Sequence, residues 1–387
     1  MLNVFGRKEA RSCDNVSRRA FLKAGGMAAG GLSLAQLLDI EAKAATGRSN
    51  KAIINIYLPG GPSHIDTFDM KPGATSEVRG ELRPMKTNVP GMEICELFPR
   101  LAKMADKFAI VRSIYDSAGD HDCFQCMTGR TKKGLVPQGG WPSFGSWVSK
   151  LQGSNPGIPA NVSLMYPTGE RRWGEPGTGG FIGAAHSPMT LVAKDPNAKA
   201  QNMTLDGISL ERLRDRVSLR SALDAFKRET DNSGTMEGLD TFHQQAVDLL
   251  TGGGVARALD ISSEDPRVLE RYGPNDPKFR RDGAPRMVSN FLLARRLVEA
   301  GARVVSLNYS RWDWHGGDGM NFIESRAEFP YLDLGLSALL TDLHERGLDK
   351  DVSVVVWGEF GRTPKINTMN SRDHWPKASF ALLAGGG

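Results

Sequence analysis

Near its C-terminus the chain reads VVSLNYSRWDWHGG over residues 304–317 and VSVVVWGEFGRTP over residues 352–364. Each segment begins with a β-branched, apolar run that is typical of a buried strand, and then continues into a loop. The first loop contains Asp313 and His315, and the second contains Glu359. An open α/β sheet assembles a ligand or metal site from such side chains at the C-terminal ends of its strands. The sequence therefore predicts an α/β fold with its site at that edge of the sheet.

Six apolar runs predict the strands of this sheet. They are short, rich in β-branched residues and not clearly alternating, which favours a sheet that is covered on both faces. Amphipathic patterns over residues 287–300 and 329–346 each lead directly into the next strand, and this alternation indicates a mostly parallel sheet. The predicted strands cover residues 52–58, 108–113, 161–165, 303–308, 352–357 and 379–383.

The first 44 residues have the pattern of an export signal. Arg18 and Arg19 form a twin-arginine pair, a weakly apolar and glycine-rich run follows, and Ala42-Lys43-Ala44 offers a cleavage site. The apolar run is shorter than the roughly 20 residues of a membrane-spanning helix. We therefore expect cleavage rather than anchoring, and a periplasmic or extracellular protein without a stable membrane span.

The charge of the chain gives no reason to expect a nucleic-acid partner. Removing residues 1–44 takes away seven of the 49 basic and four of the 44 acidic residues, which lowers the formal net charge from +5 to +2. Much of the basicity thus belongs to the signal, and a nearly neutral domain has no electrostatic footprint for phosphate backbones. The oligomeric state is not specified by any pattern in the sequence.

Residues 45–387 are predicted to form one α/β domain with an insertion. Residues 190–286 differ from the rest, because charged helical patterns at 208–229 and 235–250 precede a proline-rich stretch. This segment is predicted to be a helical and loop insertion over one edge of the sheet or over the site. The last predicted strand has nothing after it to pack on it, so we expect the C-terminus to be truncated.

A glycine turn, Gly60-Gly61, follows the first predicted strand and leads into a short loop with Ser63, His64, Asp66 and Asp69. The functional interpretation is a metal- or phosphate-binding loop, because two glycines allow close approach of the backbone. The alternative is a simple turn that Asp66 caps.

A second polar loop contains Ser117, Asp120 and His121 and is predicted to open a helix capped by Asp120. Cys123 and Cys126 follow within this helix as a C-x-x-C pattern. Such a pair can form a disulfide or a metal site, but buried, unreactive thiols are the more common outcome. One of the four cysteines lies in the signal, so no disulfide framework is expected.

The strongest candidates for a metal site lie in three clusters. Asp313 with His315 and Asp373 with His374 are closely spaced pairs, and Glu359 adds a carboxylate at a strand end. Oxygen and nitrogen ligands without thiolate suit a divalent ion such as Zn, Mn, Ca or Mg. The spacing does not choose among these ions.

These motifs resemble those of the DUF1501 family, a group of secreted twin-arginine proteins of unknown function that is similar to the alkaline phosphatase–sulfatase superfamily. The resemblance covers nearly the whole mature chain. It implies an alkaline phosphatase-like three-layer αβα sandwich, with one or two metals at the strand ends and a hydroxyl nucleophile. The motifs are GGPSHIDTFD (60–69), MTGR (127–130), LARRLVEAG (293–301), WDWHG (312–316), GEFGRTP (358–364) and RDHW (372–375).

The chain departs from the superfamily pattern in three ways. Pro59-Gly60 stands where the superfamily usually has an Asp after the first strand, so His64 or Asp66 would have to substitute. Phe360 stands where the superfamily has a histidine ligand, and Gly119 stands at the nucleophile position, nine residues before Thr128. Ser117 and His121 flank that position and are the candidates to replace the missing group. Direct attack by a water that the metal activates is the other possibility.

The resemblance and the residues together imply an exported, metal-dependent hydrolase of phosphate or sulfate esters. Arg130 and Arg362 are candidates to neutralise an anionic substrate, which would be a small molecule or a polysaccharide ester. The alternative is a non-catalytic relative that binds a metal or a surface polymer, with Trp141, Trp147 and Trp173 as its contacts. The predicted metal ligands are His64, Asp66, Asp313, His315, Glu359, Asp373 and His374.

Overall fold

The computed structural model describes residues 51–192 and 253–386, except residues 134, 156, 170 and 318. The predicted export signal and the predicted helices at 208–229 and 235–250 lie outside these residues. Within the described ranges, no helix has the length and apolar character needed to cross a bilayer.

The described part of the chain alternates strands with helices. The strands are β1 (Ala52–Tyr57), β2 (Pro84–Lys86), β3 (Glu93–Cys95), β4 (Phe108–Ile114), β5 (Asn161–Leu164), β6 (Met189–Thr190), β7 (Val304–Asn308), β8 (Val352–Trp357), β9 (Gly361–Arg362), β10 (His374–Trp375) and β11 (Ser379–Gly385). The α-helices are α1 (His64–Thr67), α2 (Ser76–Arg79), α3 (Pro99–Ala102), α4 (Phe124–Thr128), α5 (Phe144–Gln152), α6 (Gly254–Leu259), α7 (Pro266–Tyr272), α8 (Ser289–Ala300) and α9 (Met320–Glu345).

One seven-stranded sheet organises the fold, with the strand order β4-β11-β8-β1-β7-β5-β6. The strand β11 runs antiparallel to both of its neighbours, and the other six strands point the same way. All six predicted strands are present within two residues of their predicted bounds, and the predicted mostly parallel sheet is confirmed. The C-terminal ends of β8, β1 and β7 therefore lie side by side.

Apolar side chains cover the central strands from both faces, which gives three layers. Successive residues of a strand point to opposite faces. On β1, Ile54 and Ile56 belong to the larger apolar cluster, which includes residues of α8 and α9. Tyr57 belongs to a second cluster with residues of α4. The sheet is thus the middle layer of an αβα sandwich, as the sequence predicts.

The strand β4 differs from the prediction of a strand covered on both faces. It lies at the edge of the sheet and pairs only with β11. Val111 is 41% exposed, and the neighbouring Arg112 and Ser113 are exposed as well. An apolar run such as 108–114 indicates a strand but does not report how many layers cover it.

The helix α9 is longer than predicted, because it begins at Met320 rather than near Phe329 and contains Pro330. Proline usually ends or kinks a helix, since it lacks an N–H donor. Here Phe322, Ser325 and Phe329 are buried in the first half of the helix. Packing of that half therefore outweighs the hydrogen bond that the proline removes.

A candidate metal centre

Four side chains converge at the C-terminal edge of the sheet and form a possible metal centre. They are His121, Asp313, His315 and His374, and one ligand atom from each lies within 4.8 Å of all the others. Asp313 is buried, His121 and His374 are half-buried, and His315 is the most exposed. Among the described residues, this is the one group of three or more such side chains that can hold an ion.

Different segments of the chain supply the four side chains. Asp313 and His315 lie in the loop after β7, His374 begins β10, and His121 lies in the loop between β4 and α4. Gly60, three residues after β1, lets the loops meet because a Cβ at that position would lie 2.4 Å from the backbone nitrogen of Asp313. Its φ of +110° is also a conformation that other residues rarely adopt.

Asp313 is the centre of the cluster. His121 Nε2 lies 3.3 Å from its Oδ2, and His315 Nε2 and His374 Nε2 each lie 3.1 Å from its Oδ1. Arg362 Nη2 donates to Oδ1 at 2.8 Å, and Arg311 Nη2 lies 3.2 Å from Oδ2. Burial alone would raise the pKa of Asp313, but these imidazole and guanidinium partners hold it well below its usual range. The carboxylate is therefore ionised across the whole physiological range.

The four side chains are close enough together to hold a single divalent ion. Four ligands bonded at 2.0–2.2 Å to a tetrahedral ion lie about 3.3–3.5 Å apart. The carboxylate-to-imidazole distances are 3.1 Å from Oδ1 to His315 and His374 and 3.3 Å from Oδ2 to His121, and the four ligand atoms lie within 4.8 Å of one another. Burial lowers the pKa of His315, which favours the neutral imidazole that a metal requires. The donor set and its spacing are thus suited to a metal ion.

Glu359 was predicted as a metal ligand, but its carboxylate is used elsewhere. It accepts hydrogen bonds from Gly60 N at 2.9 and 3.1 Å, Tyr57 Oη at 2.8 Å and Trp173 Nε1 at 3.0 Å. It also lies 3.4 Å from His121 Nδ1. A carboxylate on the far nitrogen of a ligating histidine fixes the tautomer and orientation of the ring. Glu359 is therefore placed to orient His121.

His121 connects the two carboxylates. Burial lowers its pKa, but hydrogen bonds to Asp313 and Glu359 outweigh this effect, and the pKa lies above its usual 6.5. The ring packs edge-to-face against Trp173 and His374, with centroids 4.9 and 4.5 Å apart. The sequence predicted His121 as a candidate catalytic group, whereas the geometry makes it a candidate ligand. A cation bound by it would compete with a proton, so affinity would fall as the pH falls.

Three other predicted ligands lie outside the cluster. Asp373 is exposed, and its Oδ1 accepts a hydrogen bond from Asn367 Nδ2 at 2.9 Å. Asp66 is fully buried and paired with Arg372, whose Nε and Nη2 lie 2.7 and 2.9 Å from its two oxygens. His64 is 4% exposed, and its Nδ1 has no hydrogen-bond partner among the described residues. Asp66 therefore stabilises the loop after β1 through its pair with Arg372, and His64 is buried in the same loop.

The buried His64 makes the stability of the fold sensitive to acid. Burial lowers its pKa to about 4 despite the opposing carboxylates of Asp69 and Asp66. The unfolded chain takes up this proton near pH 6.5 and the folded chain only near 4, so stability decreases as the pH falls between these values. We expect His64→Phe to remove about 3 kcal/mol of this dependence in urea unfolding at pH 7 and pH 4.

The exposed His344 provides the matched control for that experiment. It lies on the surface with Nδ1 3.0 Å from Asp349 Oδ2. His344→Ala should keep the dependence of the wild-type protein between pH 7 and pH 4. Equal slopes for His64→Phe and the wild-type protein would show that His64 titrates normally in the fold.

The other predicted catalytic residues have different environments. Ser117 Oγ donates to the carbonyl oxygen of Glu359 at 2.5 Å, so its hydroxyl is already engaged. Arg362 is 1% exposed and donates to Asp313 and to backbone carbonyls, including Gly61 O at 2.7 Å. It therefore positions Asp313 and is closed to a substrate. Arg130 is exposed, and its guanidinium lies 4.6 Å from the centroid of Trp141.

The helix after His121 begins later than predicted. It starts at Phe124 rather than at Asp120, and Asp122 Oδ1 accepts a hydrogen bond from Phe124 N at 2.7 Å. Cys123 and Cys126 are buried free thiols, and burial raises the pKa of each. The expected interpretation of the C-x-x-C pattern as buried thiols is confirmed, and neither thiol is poised for redox or metal chemistry.

The described part of the chain is thus an αβα sandwich with a candidate Asp/His metal centre at the C-terminal edge of its sheet. A family model described as "Protein of unknown function (DUF1501)" matches residues 50–387. The chain therefore belongs to the DUF1501 family, as its motifs indicate. A search of the curated proteins found no match.

Proposed function

We propose that this protein is an exported, metal-dependent hydrolase of phosphate or sulfate esters. The observation that carries the proposal is the convergence of His121, Asp313, His315 and His374 within 4.8 Å at the C-terminal edge of the sheet. Three imidazoles and one carboxylate favour zinc over calcium or magnesium, which prefer oxygen ligands. Export by the twin-arginine route rests on the signal pattern alone.

The charges around the cluster support one metal and an anionic substrate. Arg311 and Arg362 both lie within 3.2 Å of the Asp313 carboxylate, and their positive charge disfavours a second cation close by. Arg362 is closed to direct contact, so the two charges would favour a nearby phosphate or sulfate group through their electrostatic field. Because His315 is 44% and His374 31% exposed, a substrate would approach from their side.

A divalent ion held there would polarise an ester oxygen and lower the pKa of water from about 15.7 towards about 7. The side chains around it have three tasks. Asp313 neutralises the cation, Glu359 keeps Nδ1 of His121 as a donor so that Nε2 is free to ligate, and Arg362 fixes the Asp313 carboxylate. Ser117 is held by a backbone carbonyl and Gly119 has no side chain, which favours water as the nucleophile.

Metal analysis of the purified chain tests the proposal, with a His315→Ala/His374→Ala double variant beside it. We expect about one equivalent of zinc in the wild-type protein and hydrolysis of an aryl phosphate or an aryl sulfate. Loss of two of four ligands should reduce metal affinity and kcat/KM at least about 100-fold in a folded protein.

His344→Ala is the control, because it removes one imidazole from the surface without touching the cluster. It should retain metal and activity. If the wild-type protein and the double variant contain equal amounts of metal, the cluster is not the metal site and the hydrolase mechanism is lost.

The second candidate is a non-catalytic relative that binds a metal or a surface polymer. The observation that favours it is the absence of a free hydroxyl at the nucleophile position, where Gly119 stands. Of the tryptophans predicted as polymer contacts, Trp173 is fully buried and donates to Glu359, but Trp147 is 40% exposed. Bound metal without hydrolysis of any phosphate or sulfate ester would favour this candidate.

A further inference from the structure

An exposed aromatic surface lies on the same side of the sheet as α5. Phe181 is 46% exposed and Trp147 40% exposed. The Phe181 ring packs edge-to-face against Trp147 and Trp141, with centroid distances of 5.8 and 5.9 Å. Large aromatic side chains clustered on a surface usually mark a binding site, since burying them would otherwise stabilise the fold. We call these three residues the aromatic platform.

A groove lies next to the aromatic platform and the candidate metal centre, because two of its lining residues contact them. Its lining includes Ser117, the cations of Arg130, Lys132 and Lys133, and the carboxylates of Asp120, Asp122 and Glu359. Glu359 contacts His121 of the metal centre, and the Arg130 guanidinium stacks on Trp141 of the platform. The groove thus adjoins the metal centre through Glu359 and the aromatic platform through Arg130.

Two of the three cations that line the groove, Arg130 and Lys133, are available to an anionic ligand. Lys132 is paired with Asp122. Among the described residues, neither Arg130 nor Lys133 has a carboxylate within ion-pair distance, and both are exposed. A guanidinium that is stacked on an indole keeps its N–H groups free to bind the oxygens of a sulfate, phosphate or carboxylate in its plane.

We propose that the groove and the aromatic platform bind an acidic polysaccharide. Sugar rings have apolar C–H faces that pack on indole and phenyl rings, and their anionic substituents would pair with Arg130 and Lys133. The proposal that this polysaccharide carries the ester to be hydrolysed rests on the proposed function. Binding of the chain by the platform does not depend on it.

Affinity electrophoresis tests the proposal with three polymers cast into native gels. Dextran sulfate offers sugar and charge, unsubstituted dextran offers sugar alone, and polyacrylate offers charge alone. We expect dextran sulfate to retard the wild-type chain most strongly. Trp147→Ala and Arg130→Gln should each weaken this binding at least about tenfold.

Leu151→Ala is the matched control, because Leu151 is 78% exposed on α5, one turn from Trp147. It should bind dextran sulfate like the wild-type protein. Thermal unfolding of each variant checks that it is folded. Substitution of Trp147 is preferred to substitution of Trp141, because Trp141 is more deeply buried. Equal weakening by Leu151→Ala would show that the platform has no specific role.

The other outcomes are equally decisive. If polyacrylate retards the chain as strongly as dextran sulfate and Trp147→Ala has no effect, binding is by net charge alone and the proposal is overturned. Absence of binding to all three polymers also overturns it and leaves a protein partner for the aromatic platform. The His315→Ala/His374→Ala variant separates the two proposals, since it should bind dextran sulfate normally even if no ester is hydrolysed.

Discussion

Asp313→Asn should abolish metal binding and also destabilise the fold. The substitution keeps the volume of the side chain but removes the negative charge that lies next to three imidazoles and two guanidiniums. Arg362, which is 1% exposed, would remain buried without its carboxylate partner. Removing one partner of a buried pair costs about 3–5 kcal/mol. We expect a loss of this size in urea unfolding and at least about a 100-fold loss of zinc affinity by titration calorimetry.

Asp373→Asn is the matched control for this variant. Asp373 is also an Asp near a candidate ligand histidine, but it is exposed and bonded to Asn367. We expect a change in stability within about 0.5 kcal/mol and unchanged zinc affinity. If Asp373→Asn loses zinc while Asp313→Asn retains it, the ion is held by the exposed loop and not by the buried cluster.

Arg372→Met should be the most destabilising substitution outside the metal centre. Its guanidinium is fully buried and forms a bidentate ion pair with Asp66. It also donates to Val78 O at 2.8 Å, Thr363 O at 3.2 Å and Pro364 O. The variant would leave the Asp66 carboxylate buried without a cation, and we expect the free energy of unfolding to fall by about 3–5 kcal/mol in urea denaturation.

Two further variants show whether the effect comes from the buried pair. Arg326→Met removes an exposed pair with Glu81, whose atoms are 2.8 Å apart, and should cost at most about 1 kcal/mol. Asp66→Asn/Arg372→Met should be less destabilised than the sum of its single variants by about 1–3 kcal/mol. Strict additivity would mean that the pair contributes nothing beyond the separate packing of its two side chains.

The strands could be predicted from the sequence because buried strands have short β-branched runs such as 304–308 and 352–357. The antiparallel direction of β11 could not be predicted from the sequence. It depends on the strands with which β11 pairs and not on the composition of β11. The two-residue strands β6, β9 and β10 were also missed. A segment of two residues has no periodicity to detect.

The candidate site was predicted in part. Asp313 and His315 belong to the predicted ligand set because they follow a predicted strand, and His374 belongs to it because it is paired with Asp373 and matches a motif of the family. His121 lies in a loop 192 residues before Asp313. Spacing within a short motif cannot predict that two residues so far apart in sequence are in contact. Glu359 has the residue type and position of a ligand. Only the donors around it, Gly60 N, Tyr57 Oη and Trp173 Nε1, show that its oxygens are already engaged.

Because of the position of β11 in the sheet, the sheet cannot be completed until the last described residues have been synthesised. This strand lies inside the sheet, between β8 and β4, and β4 pairs with no other strand of that sheet. The ladder between residues 108–114 and the rest of the sheet therefore cannot form until residues 379–385 have left the ribosome. Contacts of such long sequence separation make folding slow. A nascent chain that ends before β11 presents two unpaired strand edges, which invites association with other chains.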